Sequence, residues 1–484
     1  MVLLVVRPAL KRLERLEPKQ LLFVFMAWHA IVWLLTPLLA FNNQPAEVME
    51  LFVWAKDPQL GYYKGPPLPA YLVWLLSYII PQALLPYLLA QICVLVGMYF
   101  MYKTALLYTK SQGAAVMSAI LLDTTLWFNV LSMSFNADIL QVPLYAAAIY
   151  ACCQIIVNHN NKYFYLLGFT GSLLLLTSYS TMFPIIALIA ALLSTKDHVK
   201  VLFNRHYVAS EIIFTILLLP HLYWLWLNDF SPFYYIAEHM QVTEAKIISR
   251  LLLGAKFALS QLLYLIPFFI AIFILNTRET EKIRQRHRHL LIICFLPFII
   301  TLCMVVFFGW KLKSSWAYAY WVLLPLVMVL YMQIASGSKR LVMTTVAIMA
   351  FQFILGVGML YGHKLHPGSR SGFHGNELIA EIQKDLQTGE DAVKIDYVLG
   401  ETWLAGNIML YHPDHPKVLI NGNSTQAPWV KEEQMLQGNA MVVWQGKCNL
   451  PYCDMVSEIH DAIIQPQLSV VKYGWIKKPD PEND

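Results

Sequence analysis

The opening residues, MVLLVVRPALKRLERLEPKQ (1–20) followed by LLFVFMAWHAIVWLLTPLLAF (21–41), set the class of fold. The second stretch holds no Asp, Glu, Lys or Arg, and about twenty such residues reach across a hydrocarbon core of about 30 Å. The first stretch carries Arg7, Lys11, Arg12, Arg15 and Lys19. Basic residues beside a first span hold that end in the cytoplasm. No small-residue cleavage site follows, so the reading is a retained span rather than a signal peptide.

Working outward, the 484-residue chain is 58% hydrophobic and only 13% charged, too apolar for an ordinary soluble domain. The net charge of +5 sits in short basic clusters between apolar runs, which excludes a nucleic-acid footprint. Further runs near 82–102, 113–133, 139–157, 163–177, 182–195, 207–227, 251–275, 289–309, 316–335 and 341–361 predict a polytopic α-helical membrane protein with about 11 transmembrane helices. Alternate connections are basic: Lys103 and Lys110; Lys162; Lys196, Lys200 and Arg205; Arg278, Lys282, Arg284, Arg286 and Arg288; Lys339 and Arg340. An odd number of spans then leaves 362–484 outside. There DAVKIDYVL (391–399), HPKVLING (415–422) and AMVVWQG (440–446) read as strands and NELIAEIQKDLQ (376–387) as an amphipathic helix, a small α/β C-terminal extracytoplasmic domain. The expected division is a membrane domain, 1–361, with a long first outer loop, 42–81, and a soluble domain, 362–484. No inverted internal repeat is visible. Cys93, Cys152, Cys153, Cys294 and Cys303 lie in apolar runs and read as small core residues. Cys448 and Cys453 lie in the polar tail, where an oxidising compartment would permit a disulfide around Asn-Leu-Pro-Tyr.

The first outer loop contains PAEVMELFVWAKDPQLGYYKGPPLPAYLVWLLSYIIP (45–81). Glu47 and Glu50 share a helix face, with Trp54 four residues on. Pro66 and Pro67 break the chain and restart it as a short apolar helix suited to the membrane interface. A re-entrant amphipathic segment with solvated acids fits the same pattern. This acidic pair, followed by aromatics, GYYK and PPL, resembles the first outer loop of the polyprenyl-phosphate-sugar glycosyltransferases. That GT-C class includes protein O-mannosyltransferases and the lipid A aminoarabinose transferase. The layout of nearly the whole chain is similar; the sharpest part is about twenty-five residues. Two positions depart from the pattern: Glu47 stands where relatives usually have Asp, and Gly65 where a His commonly precedes the prolines.

The resemblance implies an inverting glycosyltransferase that moves a sugar from a polyprenyl-phosphate donor to an envelope acceptor, such as lipid A or other lipopolysaccharide, another polysaccharide or protein. It further implies membrane lipids as surroundings, and a bacterial inner membrane with the C-terminal domain periplasmic. Because phosphate is already a good leaving group, such a site needs a carboxylate for the acceptor hydroxyl and cations for the departing phosphate. Glu47 matches the family's acidic position and is the candidate base. Glu50 is a substrate-binding candidate, or an ion-pair partner of Lys56 or Lys64. Asp138, in SFNADILQVP (134–143), is the second catalytic candidate: it can meet a metal or sugar hydroxyls, or cap the helix that begins there. Asp123 reads as a partner for a neighbouring helix. Among Lys64, Lys246, Arg250, Lys311 and Lys313, all on the expected outer side, Lys64, Lys311 and Lys313 are the phosphate candidates, with snorkelling to headgroups as the ordinary alternative. Tyr62 and Tyr63 are substrate-binding candidates; Trp54 and Trp316 join them as groove or aromatic-belt residues. His221 suits a helix-to-helix hydrogen bond. A divalent metal is compatible with these acids, although the tail histidines 363, 366, 374, 412 and 415 complete no recognised zinc spacing. A multispan transporter or flippase of a lipid-linked solute is the competing reading. It would favour paired halves and broken helices near the midplane rather than acids at the outer edge.

Overall fold

Among the described residues, eight helices are long and apolar enough to cross a membrane: Pro18–Ala40, Leu85–Thr109, Ala137–Asn158, Arg205–Leu227, Ile247–Leu275, Arg288–Phe308, Ser314–Tyr331 and Ser338–His363. The computed structural model describes residues 12–195, 204–240, 246–275, 287–311, 313–332, 334, 336–365, 369–387, 394–464 and 469–477. Arg7, Lys11, Lys196, Lys200, Arg278, Lys282, Arg284, Arg286 and His366 lie outside the described residues.

All eleven apolar runs meet helices, but the count of eleven spans is not reproduced among the described residues. Tyr163–Leu175 and Tyr179–Leu193 are short; thirteen residues of the first rise only about 20 Å. The run at 113–133 is bent by 82°, and counting that pair as one span gives nine. The bend has a chemical cause. After helix Gln112–Ile120 the chain continues in 3-10 turns through Asp123, Thr124, Thr125, Asn129 and Ser132, and the Thr, Asn and Ser side chains among these compete for backbone carbonyls. Thr124 and Thr125 hydroxyls donate to the Leu121 and Leu122 carbonyls, and the Asn129 amide donates to those of Asp123 (2.6 Å) and Thr125 (2.8 Å). Broken helix survives in apolar surroundings only when its backbone groups are paired in this way.

The chain divides into two compact units, Met1–Thr36 with Lys64–Leu68 and Tyr87–Gly358, and Pro37–Tyr63 with Pro69–Pro86 and Met359–Asp484. The first is the membrane unit. At one end of it Tyr108 bonds His289 (2.7 Å) and the Lys103 ammonium lies over Tyr150. Elsewhere Gly168 lets helix Arg205–Leu227 approach so closely that a Cβ would lie 2.4 Å from the Ser210 carbonyl, the small-residue packing of membrane helices.

The second unit joins the first outer loop to the C-terminal residues, a division different from a cut at 361/362. Its sheet contains β1 (Tyr397–Gly400), β2 (Lys417–Ile420), β3 (Ala440–Gln445), β4 (Val456–Ile464) and β5 (Ser469–Ile476) in the order β2-β1-β3-β5-β4. β1 is parallel to β2 and β3, while β5 is antiparallel to β3 and β4. The parallel centre is almost wholly buried, which is why its strands read as unbroken apolar runs. Helix Thr402–Tyr411 makes the β1-to-β2 crossover that a parallel pair requires. Helix Gly375–Gln387 buries Leu378 and Ile382 on its apolar face. Cys448 and Cys453 are joined, with Cα atoms 6.0 Å apart.

Candidate functional site

In the second unit, Pro45 ends the preceding extended backbone and helix Ala46–Lys56 begins, with Glu47 in its first turn, where a negative charge suits the helix dipole. Val48, Met49 and Leu51 to Ala55 are buried, while Glu47 is exposed and Glu50 half-buried. The helix therefore spends its apolar surface on packing and leaves its two acids accessible. Its seat is helix Thr402–Tyr411, where a Cβ on Gly406 would come within 2.5 Å of Met49. Hydrogen bonds fix the approach. Asn43 donates to Asn407 (2.7 Å), Trp403 donates to the Gln44 carbonyl (3.3 Å), and the amides of Asn42 and Asn43 donate to the Ser371 carbonyl.

The aromatics beyond the acids serve the loop's own geometry. Tyr62 is 1% exposed, stacked on Trp54 with ring centroids 4.4 Å apart, and set edge-on to Trp429. Its hydroxyl donates to the Trp54 carbonyl (2.9 Å) and accepts from the Gln59 amide (3.1 Å); burial pushes this phenol well above its ordinary range. Tyr63 is buried edge-on to Trp54. Asp57 ends the helix with its pKa raised by burial, against the opposing pull of Lys417, 3.7 Å away, and Lys56.

The membrane unit holds the remaining candidates. Asn136, not Asp138, caps helix Ala137–Asn158 by accepting from the Ile139 amide (3.0 Å). That removes capping as the reason for Asp138, which accepts from the Gln141 side chain (3.4 Å) and lies within electrostatic reach of Tyr318 and Tyr320. Those two tyrosines are buried in the 3-10 segment Ser314–Leu323; Tyr318 packs against Trp127 and Phe128, and Tyr320 bonds Thr301 (3.1 Å). Sequence reasoning passed over them: YAY inside an apolar run looks like span.

Lys64 places its ammonium 5.9 Å from the centre of the Tyr235 ring, on helix Ser231–Met240. Lys311 and Lys313 are exposed. The residue after Lys313 is anchored, because Ser314 bonds Ser260 (2.7 Å) and its carbonyl accepts from Gln261 (3.1 Å). At the same connection Arg250 donates to the Phe307 carbonyl (3.0 Å) and lies against Gly309, whose φ of +71° ends helix Arg288–Phe308. The structure thus adds Arg250 to the two lysines as a cation fixed by the fold. His221 bonds Tyr179 (3.0 Å), a helix-to-helix partner as its position suggested. Asp123 also acts between helices, bonded to His29 (2.7 Å) and to Gln352, all three buried.

Glu47, Glu50, Tyr62 and Tyr63 accordingly belong to one unit, and Asp138, Lys64, Lys311 and Lys313 to the other. Among the described residues no three His, Cys, Asp or Glu side chains gather as a metal cluster. Glu47 and Glu50 offer carboxylate oxygens of the kind a hard divalent cation takes, with water or substrate needed to complete its shell.

Residues 64–224 match the sequence profile of the family described as dolichyl-phosphate-mannose-protein mannosyltransferase. No curated protein sequence matches the chain. Two solved structures are similar along nearly its whole length: ArnT from Cupriavidus metallidurans bound to undecaprenyl phosphate (TM-score 0.61, 13% identity) and the same protein in the apo state (TM-score 0.60, 12% identity). Each match covers 93% of this chain and 97% of the other. The chain has the ArnT-like GT-C fold.

Proposed function

We propose that this chain, with an ArnT-like fold and a mannosyltransferase-family match over 64–224, is an inverting glycosyltransferase that transfers a sugar from a polyprenyl-phosphate donor to an envelope acceptor outside a bacterial inner membrane. The observation that carries the reading is helix Ala46–Lys56, which buries seven of its residues and keeps Glu47 exposed in its first turn. The neighbour's bound undecaprenyl phosphate supports the donor class, and lipid A or related lipopolysaccharide is the first acceptor to test.

In this mechanism the acceptor oxygen attacks the anomeric carbon from the face opposite the phosphate. A bond forms from that oxygen to carbon, the bond from carbon to the phosphate oxygen breaks, and its electron pair leaves with the phosphate. Glu47 takes the acceptor's proton, and Glu50 orients the acceptor. Lys64, Lys311 and Lys313 offset the charge on the departing phosphate. Tyr62, Tyr63 and Trp54 hold the acid-bearing helix, and Asp138 orients sugar hydroxyls against Tyr318 and Tyr320. A phosphate acceptor would arrive already ionised and need no base, and Glu47 would then position it or hold a divalent ion.

Mass spectrometry of envelope glycolipids and glycoproteins from cells with and without this protein tests the reading. One sugar mass disappearing from one acceptor class is expected. Unchanged glycans, with a polyprenyl-linked sugar instead trapped on one face of the membrane, would replace the enzyme with a flippase.

A further inference from the structure

The second unit contains a cavity of about 220 Å³ that the transfer chemistry does not use. Its floor is apolar, built from Phe52 of the acid-bearing helix and Met409 and Leu410 of helix Thr402–Tyr411. Its rim is polar: Lys56, Ser77 and Gln82. No carboxylate lines it. Among the described residues no ion pair or hydrogen bond engages the Lys56 ammonium, and the adjacent acid, Asp57, has its cation in Lys417. The cavity therefore presents one positive charge above an apolar floor, with Asp57 in electrostatic reach of it but outside the lining.

The wall formed by helix Leu68–Leu76 and the turn after it gives the groove a direction. Trp74 and Tyr78 stand edge to face, 6.1 Å apart, at its side. Beyond them Leu75 is 59% exposed, Tyr78 73% and Ile79 76%. An exposed aliphatic strip bordered by Trp and Tyr is the composition of a surface resting in the headgroup layer, with the aliphatic side chains in the acyl region. A ligand with one end in the cavity and the other along this strip must be amphiphilic, with an anionic head.

We propose that this groove is a binding site for an anionic phospholipid of the surrounding leaflet, its phosphate at Lys56, its glycerol end on Ser77 and Gln82, and its chains running past Trp74 and Tyr78 over Leu75 and Ile79. The site seats the acid-bearing helix against the membrane surface without entering the transfer reaction.

The test uses the full chain in nanodiscs of phosphatidylcholine containing phosphatidylglycerol, with retained lipid measured by native mass spectrometry and sugar transfer assayed on the same samples. Retention of phosphatidylglycerol over phosphatidylcholine is expected. Lys56→Gln lowers that preference roughly five-fold, as one surface lysine's attraction to anionic lipid implies, and Lys56→Arg keeps it. Tyr78→Ala, a change at an exposed position, weakens retention while leaving the fold intact. Soluble glycerol phosphate fails to displace the lipid. Equal retention by wild type and Lys56→Gln overturns the proposal, as does displacement by glycerol phosphate alone, which would indicate a simple phosphate pocket. Lost transfer in Lys56→Gln with unchanged lipid retention also overturns it, by placing Lys56 in the reaction.

Discussion

Asp123 and Glu47 are both acids set in strongly apolar stretches, and the two regions treat them in opposite ways. Asp123 sits in the bend at 112–132, wholly buried, with His29 of the first helix and Gln352 of the last long one bonded to its carboxylate. Glu47 sits in the first turn of a helix whose other faces are packed, and is exposed. A buried carboxylate with protein partners is committed to holding helices together. An exposed one on a rigid helix is available to a substrate. Placement in an apolar stretch by itself does not separate these roles; burial does.

Asp123→Leu should break this comparison most severely. It leaves His29 and Gln352 without their shared partner, and losing one member of a buried pair costs about 3–5 kcal/mol. The thermal unfolding midpoint of purified protein should fall sharply, with less loss for Asp123→Asn, which keeps the shape and one acceptor. An unchanged midpoint for Asp123→Leu would mean that the cluster does not tie the helices together.

Gly406→Val should come next. A side chain there must displace Met49 and Val53, and overpacking of this kind costs about 1–3 kcal/mol. Because Met49 lies on the acid-bearing helix, transfer activity should fall more than stability does. Equal losses would detach this helix contact from the chemistry.

The smallest effect is a pH dependence. His412 is buried, its Nδ1 accepts from the Asp414 amide, and burial lowers its pKa below the ordinary 6.5, against the raising effect of Asp414. The folded chain then holds this proton less tightly than the unfolded chain. Its contribution is present above pH 6.5 and is lost as pH falls from there towards the folded value. Hydrogen exchange of the β2 amides near pH 7.5 and pH 5.5 should show that loss, and His412→Phe should flatten it.

Much of the fold is legible in the sequence because apolar length and basic flanks are local signals. The bend at 121–132 is not: Thr124, Thr125 and Asn129 each look tolerable alone in an apolar run, and only together do they capture enough carbonyls to end the helix. Helix Thr402–Tyr411 is hidden for another reason, since Thr402 to Leu410 are all buried and a helix covered on every side shows no 3.6-residue period. β4 shows no clean alternation because its pairing with β5 shifts register between Ser457 and His460. Among the site residues, Glu47 and Lys64 stand out through a motif, while the stacking of Tyr62 on Trp54 is a tertiary fact that spacing cannot supply. Arg250 gains meaning only when Phe307, 57 residues away, receives its hydrogen bond.

The contrast between the two acids reduces to a single assay. Glu47→Gln and Asp123→Asn, purified and confirmed folded, are compared for transfer from a synthetic polyprenyl-phosphate sugar to a hydroxyl acceptor. Glu47→Gln should keep donor binding and lose roughly 10²-fold or more in turnover, as removal of a general base does, while folded Asp123→Asn stays within a few-fold of wild type. Near wild-type turnover by Glu47→Gln would contradict the account and move the base role to Asp138.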